Sequence, residues 1–438
     1  MCKQITASAV MITMFFAFIS VFAGPARALD ITVPGDYSTY AEALAYLNDK
    51  PGSHTITQTA DVFEDIDIHS GAWNTLTIEG NDRALDDGIT IWTDSVVIQN
   101  IYLGSGGLDC RGYFELYGVS DYNIHGFNGV TVRTGCDCSI IQNCSFFEGL
   151  NIINSMDITI SDCSWGEACI EGIGEASFTS CYFNANWNYG EVTIVDGASA
   201  EISNCVFTGN SSSTVGINAT TTAGNLIIDG NSFNDYPNPI IYDVTAVTDN
   251  GEITNNSIEP GNGLGLTVEN GTPKIENNTI TGCTSEGIRI NGSANPDLGG
   301  GDRGSIGGNV IHDNDSSRLN MNINSNVRGS IDRIAVHYNG SEGSDIDVYN
   351  NSTNDIYARD NDWGTVTNGL MAGNYYNTTD IDPAVYDCWE DTNLGYLMWS
   401  FPGTIIELTS HGRIKAIFGQ LPDTSDSEET TPPNVDIR

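Results

Sequence analysis

The sequence predicts an all-β fold, a parallel β-helix of about thirteen rungs with an N-terminal helical cap and a short C-terminal capping segment. Three observations carry this. A short phrase recurs between residues 78 and 363: an apolar residue, two spacers, an Asn or Cys, one spacer, then usually an aromatic or aliphatic residue. Intervals between successive Asn, Cys or His positions are 19, 25, 19, 19, 18, 24, 26, 25, 22, 31 and 52 residues, the last a double step filled by a degenerate copy around Ile331, Ile334 and Val336. Most periods also hold a second run of period two, such as Val192-x-Ile194, Leu264-x-Leu266-x-Val268 and Ile288-x-Ile290, with no helix-length segment between. That alternation excludes helical repeats, and a repeat this small buries a core only by stacking on its neighbours.

In chain order the phrase reads Ile78-x-x-Asn81, Val97-x-x-Asn100-x-Tyr102, Tyr122-x-x-His125-x-Phe127, Ile141-x-x-Cys144-x-Phe146, Ile160-x-x-Cys163-x-Trp165 and Phe178-x-x-Cys181-x-Phe183. It continues as Ile202-x-x-Cys205-x-Phe207, Ile228-x-x-Asn231-x-Phe233, Ile253-x-x-Asn256-x-Ile258, Ile275-x-x-Asn278-x-Ile280, Ile306-x-x-Asn309-x-Ile311 and Ala358-x-x-Asn361-x-Trp363. At a turn between strands, Asn tolerates left-handed backbone and bonds the main chain, and stacked copies bond one another. Cys144, Cys163, Cys181 and Cys205 hold that slot in four successive rungs, so they are expected to stack inward as small buried thiols. Neighbouring Cα atoms at about 4.8 Å lie within disulfide range, yet parallel Cβ vectors sit wider than the bond prefers. Cys136 and Cys138, on the preceding turn, are the better candidates for oxidation.

Residues 1–28 carry Lys3, an apolar run from Ala9 to Ala23 and a final Ala26-Arg27-Ala28, the outline of a secretory signal cleaved after Ala28. Loss of Lys3 and Arg27 leaves 14 basic against 57 acidic residues, a formal charge of −43 that argues against nucleic acid and anionic membranes as partners. No other run is long enough to span a bilayer. Residues 29–53 form the cap, a strand followed by an amphipathic helix over Tyr40 to Leu47 with Ser38 or Thr39 as N-cap. Residues 54–364 form the coil, 365–420 the C-terminal cap, and 421–438 have the composition of a disordered tail or linker.

These features resemble the pectin-lyase-like superfamily of right-handed parallel β-helix proteins. The opening Ile31-Thr-Val-Pro-Gly-Asp-Tyr37 with its helix is similar to that superfamily's cap. Asn295-Pro-Asp297-Leu-Gly-Gly-Gly301, Gly304-Ser305, Gly308-Asn309, Ile356 to Gly364 and the segment from Ile381 to Pro402 resemble a secreted bacterial branch of it. The resemblance spans about residues 30–405 and implies a fold and an extracellular setting; because the superfamily holds lyases, hydrolases, epimerases and adhesins, it implies no single reaction.

Enzymatic motifs are weak. Arg413-Ile414-Lys415 matches one element of polygalacturonase-like hydrolases, but the paired aspartates they require are missing upstream. Calcium-assisted β-elimination needs an Arg or Lys as base; Arg289 is a conceivable one, although no Arg sits in the arrangement such lyases use. The six histidines show no ligand spacing, so no zinc or copper centre is expected.

The outward positions of the second run give the binding expectation. With Ile217, Tyr242, Leu266, Ile290, Ile323 and Val348 inward, Asn218, Asp243, Thr267, Asn291, Asn324 and Asp347 form one outward column, and Gly216, Ile241, Gly265, Arg289 and Asn322 a second. Glu269 is placed to pair with Arg289 across neighbouring rungs. Amides, hydroxyls and carboxylates at regular spacing suit a polysaccharide, with Ca²⁺ as an optional bridge. The expected protein is a secreted or surface-held monomer that binds polysaccharide, with a divergent polysaccharide lyase or glycoside hydrolase, or a protein-binding adhesin, as alternatives.

Overall fold

The structure is a computed structural model of the chain. It describes residues 27–314, apart from 86, 104–105, 122–128, 137–138, 186–190, 211–214, 223–224, 247, 262 and 302, and beyond 314 the backbone of separate strand segments. The segment 1–26, the phrase from Tyr122 to Phe127, Cys138, Asn324, the closing turn at 358–364 and the tail 421–438 lie outside the described residues. Two compact units divide after Ser145.

Unit one begins with Leu29–Val33, which pairs in parallel with Gly52–Gln58. Between them lies the helix Tyr40–Leu47, capped by Thr39, whose hydroxyl accepts from the Glu42 amide at 3.1 Å while Ser38 N donates back to the Glu42 carboxylate at 3.0 Å. The Thr39 bond satisfies an amide that the first turn leaves without a partner, and the Ser38 bond fixes the chain's entry into the helix. Tyr40, Ala43 and Leu47 turn inward from it and are fully buried. The main stack then runs through Ile56, Ile78, Ile98, Leu116 and Ile141, each beside the next in parallel register.

That register corrects two phrases. After Ile78 the chain bulges, so Asn81 is exposed at φ 51° and pairing resumes only at Arg83 beside Ile101. Ile98, not Val97, faces the core, so the slot equivalent to Cys144 is held by buried Ile101, and Asn100 is an exposed residue at φ 54°. In the next rung the stack position is Leu116, followed by buried Val119.

Unit two repeats one pattern. Ile160, Phe178, Ile202, Ile228, Ile253 and Ile275 are successive neighbours in one parallel stack. A second stack carries Trp165, Phe183, Phe207, Phe233, Ile258, Ile280 and Ile311. Because equivalent positions face one another, the rings of Phe183, Phe207 and Phe233 lie nearly parallel at 4.7 and 4.6 Å between centroids. Phe146 and Trp165 stack likewise at 4.8 Å. All five are fully buried.

Between these two stacks the Asn and Cys slot forms a ladder. Asn256 Oδ1 accepts from Asn231 N and Nδ2 at 2.9 and 3.0 Å, and Asn256 Nδ2 donates to Ile228 O and Asn278 Oδ1, both at 2.9 Å. Asn278 repeats the scheme with Ile253 O and Asn309 Oδ1. Each amide thereby fills both its donor and both its acceptor sites inside the core. The thiols occupy the same geometry. Cys181 N donates to Cys205 Sγ at 3.4 Å, and Cys205 Sγ to Phe178 O at 3.6 Å, just as Asn231 Nδ2 donates to Ile202 O at 2.8 Å. Cys163, Cys181 and Cys205 therefore stack inward as thiols, as expected.

Left-handed backbone falls one residue earlier than the ladder. Asn143, Asp162, Ser180, Asn204, Asn255 and Asn277 all have φ between 53° and 57°. Gly230 and Gly308 fill the same place at 66° and 73°. The turn residue and the ladder residue are thus adjacent specialists, one for conformation and one for hydrogen bonding.

The rung ending in Asn309 departs from the pattern. Ile306 is 65% exposed, and the interior is served by Leu298 and Ser305 from the glycine-rich insertion. Asp297 holds that insertion: its two oxygens accept from the amides of Gly299, Gly301, Arg303 and Ser305. Further on, Trp389–Asp391, Tyr396–Phe401, Thr404–Leu408 and Ile414–Phe418 form an antiparallel meander. Lys415 sits there opposite Glu407, so the Arg413-Ile414-Lys415 match belongs to a meander and not to a rung.

Two outcomes test the ladder and its burial. Asn256→Ala removes an acceptor and a donor at once, and denaturant unfolding will show a loss of about 2–4 kcal/mol, with Asn256→Cys losing less. Burial pushes the Cys283 thiol up to about 12 and the Cys110 thiol well above its usual range. Alkylation followed by peptide mapping of the folded protein at pH 8 will label half-exposed Cys169 before Cys110 or Cys283. Equal labelling would contradict the burial.

Candidate functional site

Three neighbouring strands of unit two, Asn238–Val244, Leu266–Asn270 and Ile288–Ile290, carry four of the eight predicted residues, Asp243, Thr267, Glu269 and Arg289, with Asn291 directly after the last strand. Their interior side holds two columns, not one. Ile217, Ile240, Leu266 and Ile288 form the first; Ala219, Tyr242, Val268 and Ile290 the second. Their backbones continue in register with Met321 and Ile323.

The outward columns shift accordingly. Asn218, Ile241, Thr267, Arg289 and Asn322 are neighbours, so Asn218 and Thr267 belong with Arg289 and not with Asp243. Asp243 lies beside Thr220 and Asn270. A bulge between Tyr242 and Asp243 inserts Glu269 as an extra residue opposite them, which re-aims its side chain. Asp347 falls between Ile346 and Val348, whose partners are Leu319 and Met321, two positions away from the Arg289 column. Thr267, although on the outward column, is 5% exposed and is closed to a ligand.

What these strands do bring together is a hydrogen-bonded strip. Asn270 Nδ2 donates to Asp243 at 2.7 Å, and Ser293 Oγ donates to Asn270 Oδ1 at 2.6 Å. On the next register line Asn291 Nδ2 donates to Glu269 at 3.0 Å. Asp243, Glu269, Asn270, Arg289 and Asn291 are all half-buried, and Ser293 is exposed. Their polar groups are thus fixed by one another while one side remains open to solvent.

The predicted Glu269–Arg289 pair is replaced by another. Arg289 donates to Glu286 at 2.7 Å, with the Glu286 side chain 7% exposed and also bonded by the Ser285 hydroxyl. A buried carboxylate is tolerable only with such partners. Glu286, Ser285, Asn270 and Ser293 escaped sequence reasoning because they sit at strand ends and turns, where the period-two rule assigns no face.

Beneath the strip Tyr242 donates to buried Asp249 at 2.5 Å, and Asp249 also accepts from Gly251 and Thr272 amides. Burial, then the Asp249 charge, raises the Tyr242 phenol above its normal range, so it stays protonated and holds the loop under the site. Among the described residues no group of three or more His, Cys, Asp or Glu is placed to hold a metal ion, and no helix is long and apolar enough to cross a membrane.

Residues 166–324, which include this strip, match the family described as the right handed beta helix region. Among curated proteins none matches the chain. The parallel stacks and that match together define the class of fold, a right-handed parallel β-helix.

Arg289→Ala removes the cationic partner of the buried Glu286 carboxylate, and thermal unfolding will show a destabilisation of about 1–3 kcal/mol. Glu286→Gln added to it will recover part of that loss; a double variant no better than the single would show that the pair is not what holds the turn.

Proposed function

We propose that this protein is an exported β-helix that binds polysaccharide along the outward strip of unit two. The observation that supports the reading most strongly is the chain of fixed, solvent-facing polar groups, Asp243 to Asn270 to Ser293 with Glu269 to Asn291 alongside. Neighbouring parallel strands lie about 4.8 Å apart, so a glycan laid across the strands meets a new set of donors and acceptors at each step. Side chains already held by neighbours lose little freedom on binding, which favours affinity. Asn218 and Arg289 extend the strip, and Ca²⁺ bridging through Asp243 and Glu269 fits the same oxygen-rich surface. The sequence's secretory outline and its acidic charge agree with a released or surface-held monomer whose ligand is not nucleic acid.

The test is retention on immobilised acidic and neutral glycans, with and without Ca²⁺, combined with assays for unsaturated products and reducing ends. Binding without turnover is expected, weakened about tenfold by Asp243→Ala or Asn291→Ala. Arg289→Ala is unsuitable because it disturbs Glu286. Turnover on any glycan that Asp243→Ala abolishes would replace this reading with an enzymatic one.

A further inference from the structure

Unit one carries a second outward feature, independent of the strip. Four strands, Ile66–Ile68, Ile89–Ile91, Leu108–Cys110 and Val130–Val132, stack in parallel with Ile68, Ile91, Cys110 and Val132 aligned in the interior. The residue after each strand is His69, Trp92, Arg111 and Arg133 in turn. Parallel bonding continues through them, from Trp92 N to Ile68 O at 2.9 Å, Arg111 N to Ile91 O at 2.8 Å and Arg133 N to Cys110 O at 2.8 Å. The four side chains therefore form one external column, a rung apart.

Their contacts are specific. The His69 and Trp92 rings stack at 5.9 Å and 17°, and the Arg111 guanidinium lies over the indole at 4.0 Å from its centroid. Asp109 accepts from Arg111 at 3.1 Å through one oxygen and from Arg133 Nε at 2.8 Å through the other. Trp92 stays 44% exposed, and the two arginine side chains 39% and 41%. Asp109 bridges the two guanidinium groups, which lie about one strand spacing apart and keep part of each side chain in solvent. Asp67 lies further along, on the His69 rung. In a chain of formal charge −41 such a concentration of arginine is the exception.

We propose that this column is a binding site for a sulfate ester carried on a glycan. A single guanidinium fork matches a planar carboxylate, whereas donors from two successive rungs lie in separate planes. A sulfate ester's three terminal oxygens form a pyramid with the sulfur and not a plane through it, so they reach both. The indole fixes the Arg111 plane by cation–π contact, and its exposed edge lies against the sugar ring.

Dextran, carboxymethyl dextran and dextran sulfate share one backbone and separate the chemistries. The full chain is expected to bind dextran sulfate about tenfold more tightly than carboxymethyl dextran of matched charge density, and unmodified dextran not at all. Arg111→Ala and Arg133→Ala each weaken that binding about tenfold, and Arg111→Lys, which keeps the charge and loses the fork, weakens it too. Asp243→Ala and Asn291→Ala leave it unchanged, so failure here is distinguishable from failure of the strip. Circular dichroism confirms that each variant is folded, and Trp92→Phe, which keeps the stack, serves if an alanine variant is not. No binding, equal binding of the two charged dextrans, or full affinity in Arg111→Lys would each overturn the proposal.

Discussion

The buried hydrogen-bond ladder through Cys181, Cys205, Asn231, Asn256, Asn278 and Asn309 is the constraint on which unit two depends. A parallel coil has no hairpin turns to set its register, and a slip of one residue would exchange the inward and outward faces of a strand. An interior amide with both donors and both acceptors engaged penalises such a slip, because every misplaced rung leaves polar groups unpaired in the core. Aromatic stacking beside the ladder adds packing, but rings such as Phe207 and Phe233 tolerate displacement better than a hydrogen-bond chain does. The residue just before each rung's ladder position, in left-handed backbone, turns the chain so that the amide points inward.

Sequence reasoning reached this ladder because Ile253-x-x-Asn256-x-Ile258 and its relatives repeat at near-constant spacing. It erred where side-chain size or crowding hid the period. Ala219 is too small to announce an interior position, so the pattern of large apolar residues aligns Ile217 with Tyr242, although the true neighbours are Ala219 with Tyr242 and Ile217 with Ile240. That shift by two mixed the outward columns. Val96-Val97-Ile98 offers apolar residues on both faces, and Ile306 stands where a glycine-rich insertion had already supplied Leu298 to the interior. The bulge at Glu269 and the Glu286 pairing depend on turns whose geometry no periodicity rule encodes.

The same regularity that builds the interior builds the exterior. Once inward residues are aligned, outward ones must align as well, so polar residues in successive rungs become a strip at Asp243, Asn270 and Asn291, and His69, Trp92, Arg111 and Arg133 become a column. Their chemistry differs: the first is amide and carboxylate, the second aromatic and cationic. A strongly acidic surface elsewhere, with only 16 basic residues against 57 acidic, keeps anions from binding indiscriminately. Selectivity then rests with the few places where arginine is concentrated.

The most direct measurement is a double-mutant cycle on the ladder, with Asn256→Ala and Asn278→Ala made singly and together and stability read by denaturant unfolding. Neighbouring amides that share hydrogen bonds should couple by about 1–3 kcal/mol, while Asn256 and Asn309, two rungs apart, should be additive within about 0.5 kcal/mol. Additive losses for Asn256 and Asn278 would show that residues one turn apart are not bonded neighbours, and the register from which the outward strip of unit two follows would be wrong.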